Sequence, residues 1–415
     1  MIESVDLMQR SSAEAAAPHP PTWLIVVSGI VALAAAMGIG RFAFTPLLPL
    51  MLRDGTLNAA AGAEWAAANY AGYLAGALTA SIFAGHPQLG VRLSLVGIAL
   101  STMAPAWIDR DSMELVGAVL RAVSGVCSAW ALVCASSWCL TELARRHRPQ
   151  LGAWIYCGVG LGIALAGTIA WLGGQQTASA LWLELGTITA AGTIIVAAGL
   201  GRRTSAPPPA VTPAHAQLVA KSADRQWDIV ACYGVFGFGY IIPATFLPAM
   251  ARELTADPLV FGITWPLFGL AAAISVALAA HRLHGWPRRR VWALAQGTMA
   301  VGTALPLISH ALWSLAASAV LVGGTFMVAT MAGLQLAREL CPANLTPLLA
   351  RMTVAFAVGQ IIGPVVIRLL GTGTWAGWDS MAWASAASTL LLAISTAWLC
   401  RDAEPLAGSE PTQGA

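Results

Sequence analysis

Two arginines of this sequence lie inside long apolar runs, where a charged side chain is unusual. Arg41 interrupts the apolar run that begins at Trp23, and Arg121 lies within the apolar run 113–138. An arginine at the centre of a bilayer costs about 2.5–3.5 kcal/mol on insertion scales. Each guanidinium must therefore face protein or a wet cavity, where its planar fork of N–H donors is suited to binding a carboxylate.

The two arginines allow two interpretations. In the first, Arg41 and Arg121 form a positively charged cavity that binds an anion, because the sequence places no deep acid beside them. In the second, each guanidinium bonds helix carbonyls, or a carboxylate from a distant helix, and only holds the helices together. The sequence alone leaves both open.

Further polar side chains accompany the arginines at helical spacing. Thr45 follows Arg41 by four residues, which in a regular α-helix places both on one face. Ser124 and Ser128 line up with Arg121 in the same way. The candidate substrate contacts, drawn from these stretches and from the seventh and tenth apolar runs, are Arg41, Thr45, Arg121, Tyr240 and Gln335.

Glu184 is the only carboxylate more than a turn inside an apolar run. It could pair with an arginine or carry a coupling proton, or it could occupy a solvated position near the membrane surface. All seven histidines fall in tails, loops or ends of apolar runs, so a histidine proton relay is not indicated. The candidate coupling residues are therefore Arg121 and Glu184.

The segment around Arg41 occurs twice in the chain. Residues 38–51 and 237–250 share Gly, Gly, Leu, Pro and Met at matching places, with an offset of 199 residues, the difference between 237 and 38. Paired halves are typical of secondary transporters, whose substrate sites lie at mid-membrane between the repeats. Small residues let membrane helices approach closely. The candidate helix-packing residues are Gly38, Gly40, Gly237, Gly239, Gly359, Gln360, Gly363 and Pro364.

The composition is that of an all-α membrane protein. Of the 415 residues, 57% are hydrophobic and 10% are charged, against about 25% charged in soluble proteins. The net charge of +3 is too small to indicate a nucleic-acid partner. Twelve spans are predicted, at 23–52, 64–84, 91–108, 113–138, 150–172, 179–200, 227–251, 259–280, 290–309, 312–337, 347–370 and 379–400.

A polar, proline-rich segment divides the spans into six and six. We expect an N-terminal tail at 1–22, a six-helix bundle at 23–200, a linker at 201–226, a second bundle at 227–400 and a C-terminal tail at 401–415. Most lysines and arginines outside the spans lie on the side of both termini and the linker. Basic residues favour the cytoplasmic side, so we expect both termini in the cytoplasm and the protein in a bacterial inner membrane.

Twelve spans in two halves resemble the major facilitator superfamily. Residues 38–49 resemble its YbfB/YjiJ-like branch of bacterial permeases, 359–364 resemble that branch's eleventh helix, and Arg121–Gly125 resembles the superfamily's fourth-helix motif. The resemblance implies that helices 1, 4, 7 and 10 line a central cavity. It does not extend to the acid of the loop between helices two and three, which is missing from 85–92 and from its counterpart 281–290.

These observations predict a secondary active transporter that moves a small solute, such as an organic anion, by alternating access with proton coupling. An uncoupled facilitator is the main alternative, since buried acids are scarce. A membrane-embedded enzyme or sensor would need paired acid and base groups or a metal cluster, and the sequence has no such motif. We expect a monomer with no cofactor and no metal, whose partners are a small-molecule substrate, the lipid bilayer and protons.

Overall fold

The computed structural model describes residues 21–108, 110–200, 226–244, 258–309, 311–342, 344–371 and 373–401. Nearly all of the two predicted tails and the linker, and the end of the seventh predicted span, lie outside these residues. Within them the protein is helical, and the one extended pairing is an isolated bridge between Trp375 and Trp378.

Twelve long helices follow one another in the described parts of the chain, and each coincides with a predicted span. They are α1 Thr22–Arg53, α2 Ala59–Thr79, α3 Pro87–Met103, α4 Arg110–Arg145, α5 Cys157–Leu172, α6 Ala178–Gly199, α7 Gln226–Ala244, α8 Pro258–Arg282, α9 Arg288–Ile308, α10 Leu312–Leu340, α11 Leu345–Leu370 and α12 Ser380–Arg401. Short 3₁₀ turns at Ala80–Phe83, Ala104–Trp107 and Pro149–Tyr156 extend α2, α3 and α5.

Eleven of the described helices are long and apolar enough to cross a bilayer, and α2 differs from them in composition. With 21 residues it has the necessary length, but Glu64, Asn69, Tyr70 and Tyr73 lower its hydropathy. Polar residues in membrane helices usually face protein or a water-filled cavity. Asn69 and Tyr73 are buried, whereas Glu64, near the start of α2, is exposed.

The first helix is not a continuous α-helix. It consists of an α-helix Thr22–Leu33, a π-helix Ala34–Arg41, a turn, and an α-helix Phe44–Arg53. A π-helix has i→i+5 hydrogen bonds and often occurs at a functional site. The regular helix assumed between Arg41 and Thr45 is absent here, and Arg41 is buried while Thr45 is exposed.

The two halves meet along two seams, in which α2 packs against α11 and α5 packs against α8. The α5–α8 seam depends on glycine. A Cβ on Gly160 would lie 2.4 Å from the backbone nitrogen of Ala273, and a Cβ on Gly269 would lie 2.3 Å from that of Ala164. Any side chain at these two glycines would push the halves apart, because the atoms it would meet belong to backbone.

Candidate functional site

Arg41 lies where α1 meets the second half. It is 4% exposed, and its Nη2 donates a hydrogen bond to Oε1 of Gln360 on α11. Its Cζ lies 3.7 Å from the ring centroid of Tyr73 on α2, with the rings of Phe42 and Tyr70 at 5.5 and 5.9 Å. A cation over aromatic faces is attracted by the ring quadrupole. Both halves therefore hold this guanidinium.

The guanidinium of Arg41 is only partly paired. Among the described residues, its Nε and Nη1 are buried without a hydrogen-bond partner, and so is Nε2 of Gln360. Most buried polar groups are paired, and a buried unpaired one costs about 1–3 kcal/mol. These N–H groups can donate to the oxygens of an anion, and charge-assisted bonds of this kind are the stronger ones.

Arg121 uses its guanidinium differently. It is also 4% exposed, but its Nη1 donates to the carbonyl of Gly40 at 2.8 Å and its Nη2 to the carbonyl of Arg41 at 2.9 Å. These carbonyls belong to the end of the π-helix, where helix carbonyls lack regular partners. This geometry corresponds to the structural interpretation of Arg121, in which a guanidinium bonds helix carbonyls.

Two serines extend the same contact along α4. Ser124 Oγ donates to the carbonyl of Gly40 at 2.7 Å, and Ser128 Oγ donates to the carbonyl of Ala36 at 2.8 Å. The predicted stripe on α4 is therefore present, and it faces the backbone of α1. The contact fixes the irregular segment that ends at Arg41, so α4 positions the Arg41 side chain.

The other candidate substrate contacts are spread more widely. Tyr240 is buried, with its ring stacked on Phe326 at 4.9 Å. Gln335 is buried as well, and its Oε1 has no partner among the described residues. Thr45 and Glu184 are exposed, and no ion pair joins Glu184 to an arginine in the described part of the chain. Neither of these two side chains is buried beside Arg41.

The candidate helix-packing glycines all lie at close contacts. A Cβ on Gly38, Gly237 or Gly359 would lie within 2.4 Å of the backbone of a neighbouring helix. For Gly40, Gly239 and Gly363 the nearest atom, within 2.7 Å, belongs to a side chain. Pro364 lies inside α11. Gln360, in contrast, carries out more than packing, since it is the hydrogen-bond partner of Arg41.

Sequence reasoning missed the ion pairs at the start of α9. The predicted loop 281–290 lacks an acid of its own, but Arg289 pairs with Asp228 of α7 at 2.6 Å and Arg288 pairs with Glu339 of α10 at 3.4 Å. The acids come from other helices, so the residues of the loop could not reveal them. The position of Asp228 near the start of an apolar span was the available signal.

Contacts between the halves also close one end of the bundle. Ser137 Oγ of α4 and Thr346 Oγ1 of α11 lie 2.6 Å apart, and Arg338 Nε of α10 donates to the carbonyl of Leu140 at 3.1 Å. All four residues lie near the ends of their helices. These contacts must break before that end of the bundle can open.

A row of near-parallel aromatic rings lies in the second half. Successive rings have centroids 4.9–6.2 Å apart and planes within 23° of each other. The rings come from α8, α10, α7 and α11. In order, the ring row consists of Trp265, Phe268, Phe326, Tyr240 and Phe356. The spacing of residues along the sequence did not indicate it.

Comparison with known proteins shows the fold. A family model described as the uncharacterised MFS-type transporter YbfB matches residues 33–397. The human organic anion transporter MFSD10 (TETRAN) is 14% identical, with a TM-score of 0.67 over 92% of this chain and 99% of that chain. The MFS proton:xylose symporter XylE bound to 6-bromo-6-deoxy-D-glucose is 12% identical, with a TM-score of 0.69 over 93% of this chain and 97% of that chain. No curated protein matches the sequence. The predicted architecture of two six-helix halves is thereby confirmed.

Proposed function

The chain belongs to the family of the MFS-type transporter YbfB, and on that premise we propose that it moves a small organic anion across a bacterial inner membrane. Transport proceeds by alternating access, in which the halves 23–200 and 227–400 rock about a site at mid-membrane. The linker 201–226 joins them. The protein acts as a monomer, with no enzymatic step and no cofactor.

The observation that carries this proposal is the partly paired guanidinium of Arg41. It is buried between the halves and bonded to Gln360, and it keeps two N–H groups available. A carboxylate can accept from one of these groups together with the second N–H of Nη2, and its charge offsets the cost of burying the arginine. Because Arg41 belongs to one half and Gln360 to the other, an anion bound there contacts the two bodies that move.

Arg121 has a positioning role in this mechanism. Its two Nη atoms are bonded to the carbonyls of Gly40 and Arg41, so it fixes the backbone from which the Arg41 side chain extends. The anion site is therefore built around Arg41, with Tyr240 on the facing half. Gln335 and Thr45 contact substrate only after the helices move, because Gln335 lies near the end of α10 and Thr45 is exposed.

The closed end of the bundle is the cytoplasmic end. The contacts of Ser137 with Thr346 and of Arg338 with Leu140 lie on the side to which the distribution of basic residues assigns the termini. The arrangement is then closed toward the cytoplasm, and both termini are cytoplasmic. Labelling of a cysteine introduced at Pro208 tests this orientation, since reagent added from the periplasmic side should not reach it.

An uncoupled facilitator is the second candidate. It is favoured by one observation, that Glu184 is exposed and no acid is paired with Arg41 among the described residues. Proton coupling requires a group that changes protonation during the cycle. In the coupled mechanism that group is Glu184, so Glu184→Gln should abolish the effect of a pH gradient on transport and leave downhill exchange intact.

Substrate panels in proteoliposomes test the proposal. Radiolabelled small carboxylates should exchange through the wild-type protein, weakly through Arg41→Lys, and not through Arg41→Gln. The lysine keeps the charge but loses the planar fork. Arg145→Gln is the matched control, because Arg145 lies at the exposed end of α4. Full exchange by a stable Arg41→Gln protein would overturn the anion site, and early thermal unfolding of both Arg41 variants would identify a structural arginine.

A further inference from the structure

The ring row reaches the hydrogen-bond partner of Arg41. Gln360 accepts from Arg41, and Phe356 lies four residues before Gln360 on α11, so both occupy one face of that helix. Phe356 is the end of the ring row, next to Tyr240. A charged group with unpaired donors and a set of aromatic faces therefore meet at one face of α11.

The internal repeat relates these two features at two positions. At the offset of 199 residues, Arg41 corresponds to Tyr240, and Asn69 corresponds to Phe268. Both first-half residues are buried polar groups, and both second-half residues belong to the ring row. The other three members of the ring row correspond to alanine or cysteine. A ligand that used Arg41 and the ring row would have a polar end and an aromatic body.

The geometry of the ring row differs from that of the aromatic packing beside it. Tyr233 meets Phe236 and Trp292 edge to face, at 65° and 76°. The members of the ring row lie within 23° of parallel, and the widest gap is 6.2 Å, between Tyr240 and Phe356. A flat ring inserted between two others needs about 7 Å between their planes, twice an ordinary carbon contact. Movement of α7 away from α11 would provide that space between Tyr240 and Phe356.

We propose that the transported anion is a flat aromatic carboxylate, held by its carboxylate at Arg41 and by its ring between Tyr240 and Phe356. This inference rests on the proposed anion transport. A sugar fits poorly, because the ring row offers few hydrogen-bonding groups. An aliphatic acid would use Arg41 and gain only apolar burial at the aromatic faces, whereas stacked rings add affinity beyond their buried area.

Binding of a matched pair of ligands tests the proposal. Isothermal titration of the purified full chain compares 2-naphthoate with its saturated analogue, decahydro-2-naphthoate, which has the same charge and is not flat. We expect the naphthoate to bind roughly two- to tenfold more tightly, the range that ring stacking supplies. Hydrophobicity alone would favour the saturated acid. Tighter binding of the naphthoate would therefore indicate stacking of its ring.

Variants then locate the effect. Phe356→Leu should reduce the preference for the flat acid toward equality and leave the affinity for the saturated acid nearly unchanged. Phe83→Leu is the matched control, since Phe83 is a buried ring that packs edge to face on Trp130 outside the ring row. If Phe356→Leu does not fold, Tyr240→Leu replaces it, and the comparison of ligands on the wild-type protein stands by itself.

The outcomes separate this inference from the function on which it rests. Equal affinity for the two acids would overturn the aromatic preference and leave anion transport standing. A preference that survives in Phe356→Leu and Tyr240→Leu would also overturn it. Binding of neither acid, nor of any small carboxylate, would overturn the proposed function itself.

Discussion

The two halves of this transporter share a fold and differ in what they place at its centre. In the first half, Arg121 and two serines of α4 bond the backbone of α1, and Arg41 projects from that fixed segment. In the second half, the centre is the ring row, with Tyr240 in the place of Arg41. This comparison indicates that the first half supplies charge at the centre and the second half supplies apolar surface.

The halves also differ in how tightly corresponding helices approach. Gly125 and Gly324 are repeat counterparts, on α4 and α10. A Cβ on Gly125 would lie 2.2 Å from the carbonyl oxygen of Asn69, whereas a Cβ on Gly324 would have one neighbour, Ser275 Cβ, at 4.0 Å. The polar half is therefore the more closely packed at this level, as the precise placement of Arg41 requires.

The largest expected effect concerns an ion pair found only in the second half of the repeat. Asp228 and Arg289 have side chains 12% and 10% exposed and lie 2.6 Å apart, while their counterparts are Gly29 and Gly90. Removing one partner of a buried pair typically costs about 3–5 kcal/mol. The free energy of unfolding of the Asp228→Asn protein should fall by about that amount. Reversible unfolding in mixed micelles measures the difference.

The matched control for this prediction is Glu142→Gln in the first half. Glu142 pairs with Arg146 one turn along α4, and such helical pairs contribute about 0.3–0.5 kcal/mol. If Asp228→Asn and Glu142→Gln both lose little unfolding free energy, the ion pair of Asp228 and Arg289 does not stabilise the second half. The two halves would then not differ in this respect.

The glycine pair gives the next largest effect. Gly125→Ala should destabilise the protein by about 1–3 kcal/mol, because overpacking against backbone forces the helices apart. Gly324→Ala should be neutral or slightly stabilising, since there is room for the methyl group and alanine favours the helix. Thermal unfolding of the two variants in the same detergent measures the difference, and equal melting temperatures would remove the argument that the first half is the tighter one.

A smaller effect is expected at Arg121. Arg121→Lys keeps the charge and can bond only one of the two carbonyls well, so about 1–2 kcal/mol of stability should be lost. The affinity for carboxylates should also fall, because the backbone of Arg41 is held less firmly. The repeat counterpart is Val320, which is 62% exposed, and Val320→Ala should change neither quantity. A stable Arg121→Lys protein with normal affinity would show that α4 does not position the site.

The smallest effect is expected at Tyr240. If the second half contributes rings and not hydroxyls, Tyr240→Phe should keep its stacking on Phe326 and change stability by less than about 0.5 kcal/mol. Tyr240→Leu should weaken the binding of 2-naphthoate more than that of its saturated analogue. A loss of binding in Tyr240→Phe would instead assign the hydroxyl a direct role at the anion, like that of Arg41 across the site.

The fold could be predicted because its signals are long and repeated. Apolar runs located all twelve helices. The free-energy cost of placing a charge in a bilayer indicated that Arg41 and Arg121 face the interior, and both are buried. The site could be predicted only in part. Gln360 was recognised as a residue between helices, but its partner Arg41 lies 319 residues away, and no spacing rule connects residues across the two halves.

Two further features could not be predicted from the sequence, for a physical reason. Helical periodicity assumes a uniform α-helix, so it could not describe the turn between Arg41 and Thr45 that follows the π-helix. The ring row draws its members from four helices. Periodicity along one helix reports which face is apolar, and it contains no information on which faces of different helices meet.

The π-helix at Ala34–Arg41 determines where the first helix tolerates a change in length. Its i→i+5 hydrogen bonds enclose one residue more than the i→i+4 bonds of an α-helix. Removing one residue within Ala34–Arg41 is therefore absorbed by conversion to a regular α-helix, and Gly29 keeps its close contact with Ile155. Removing one residue within the α-helix Thr22–Leu33 instead turns the residues before it by about 100°.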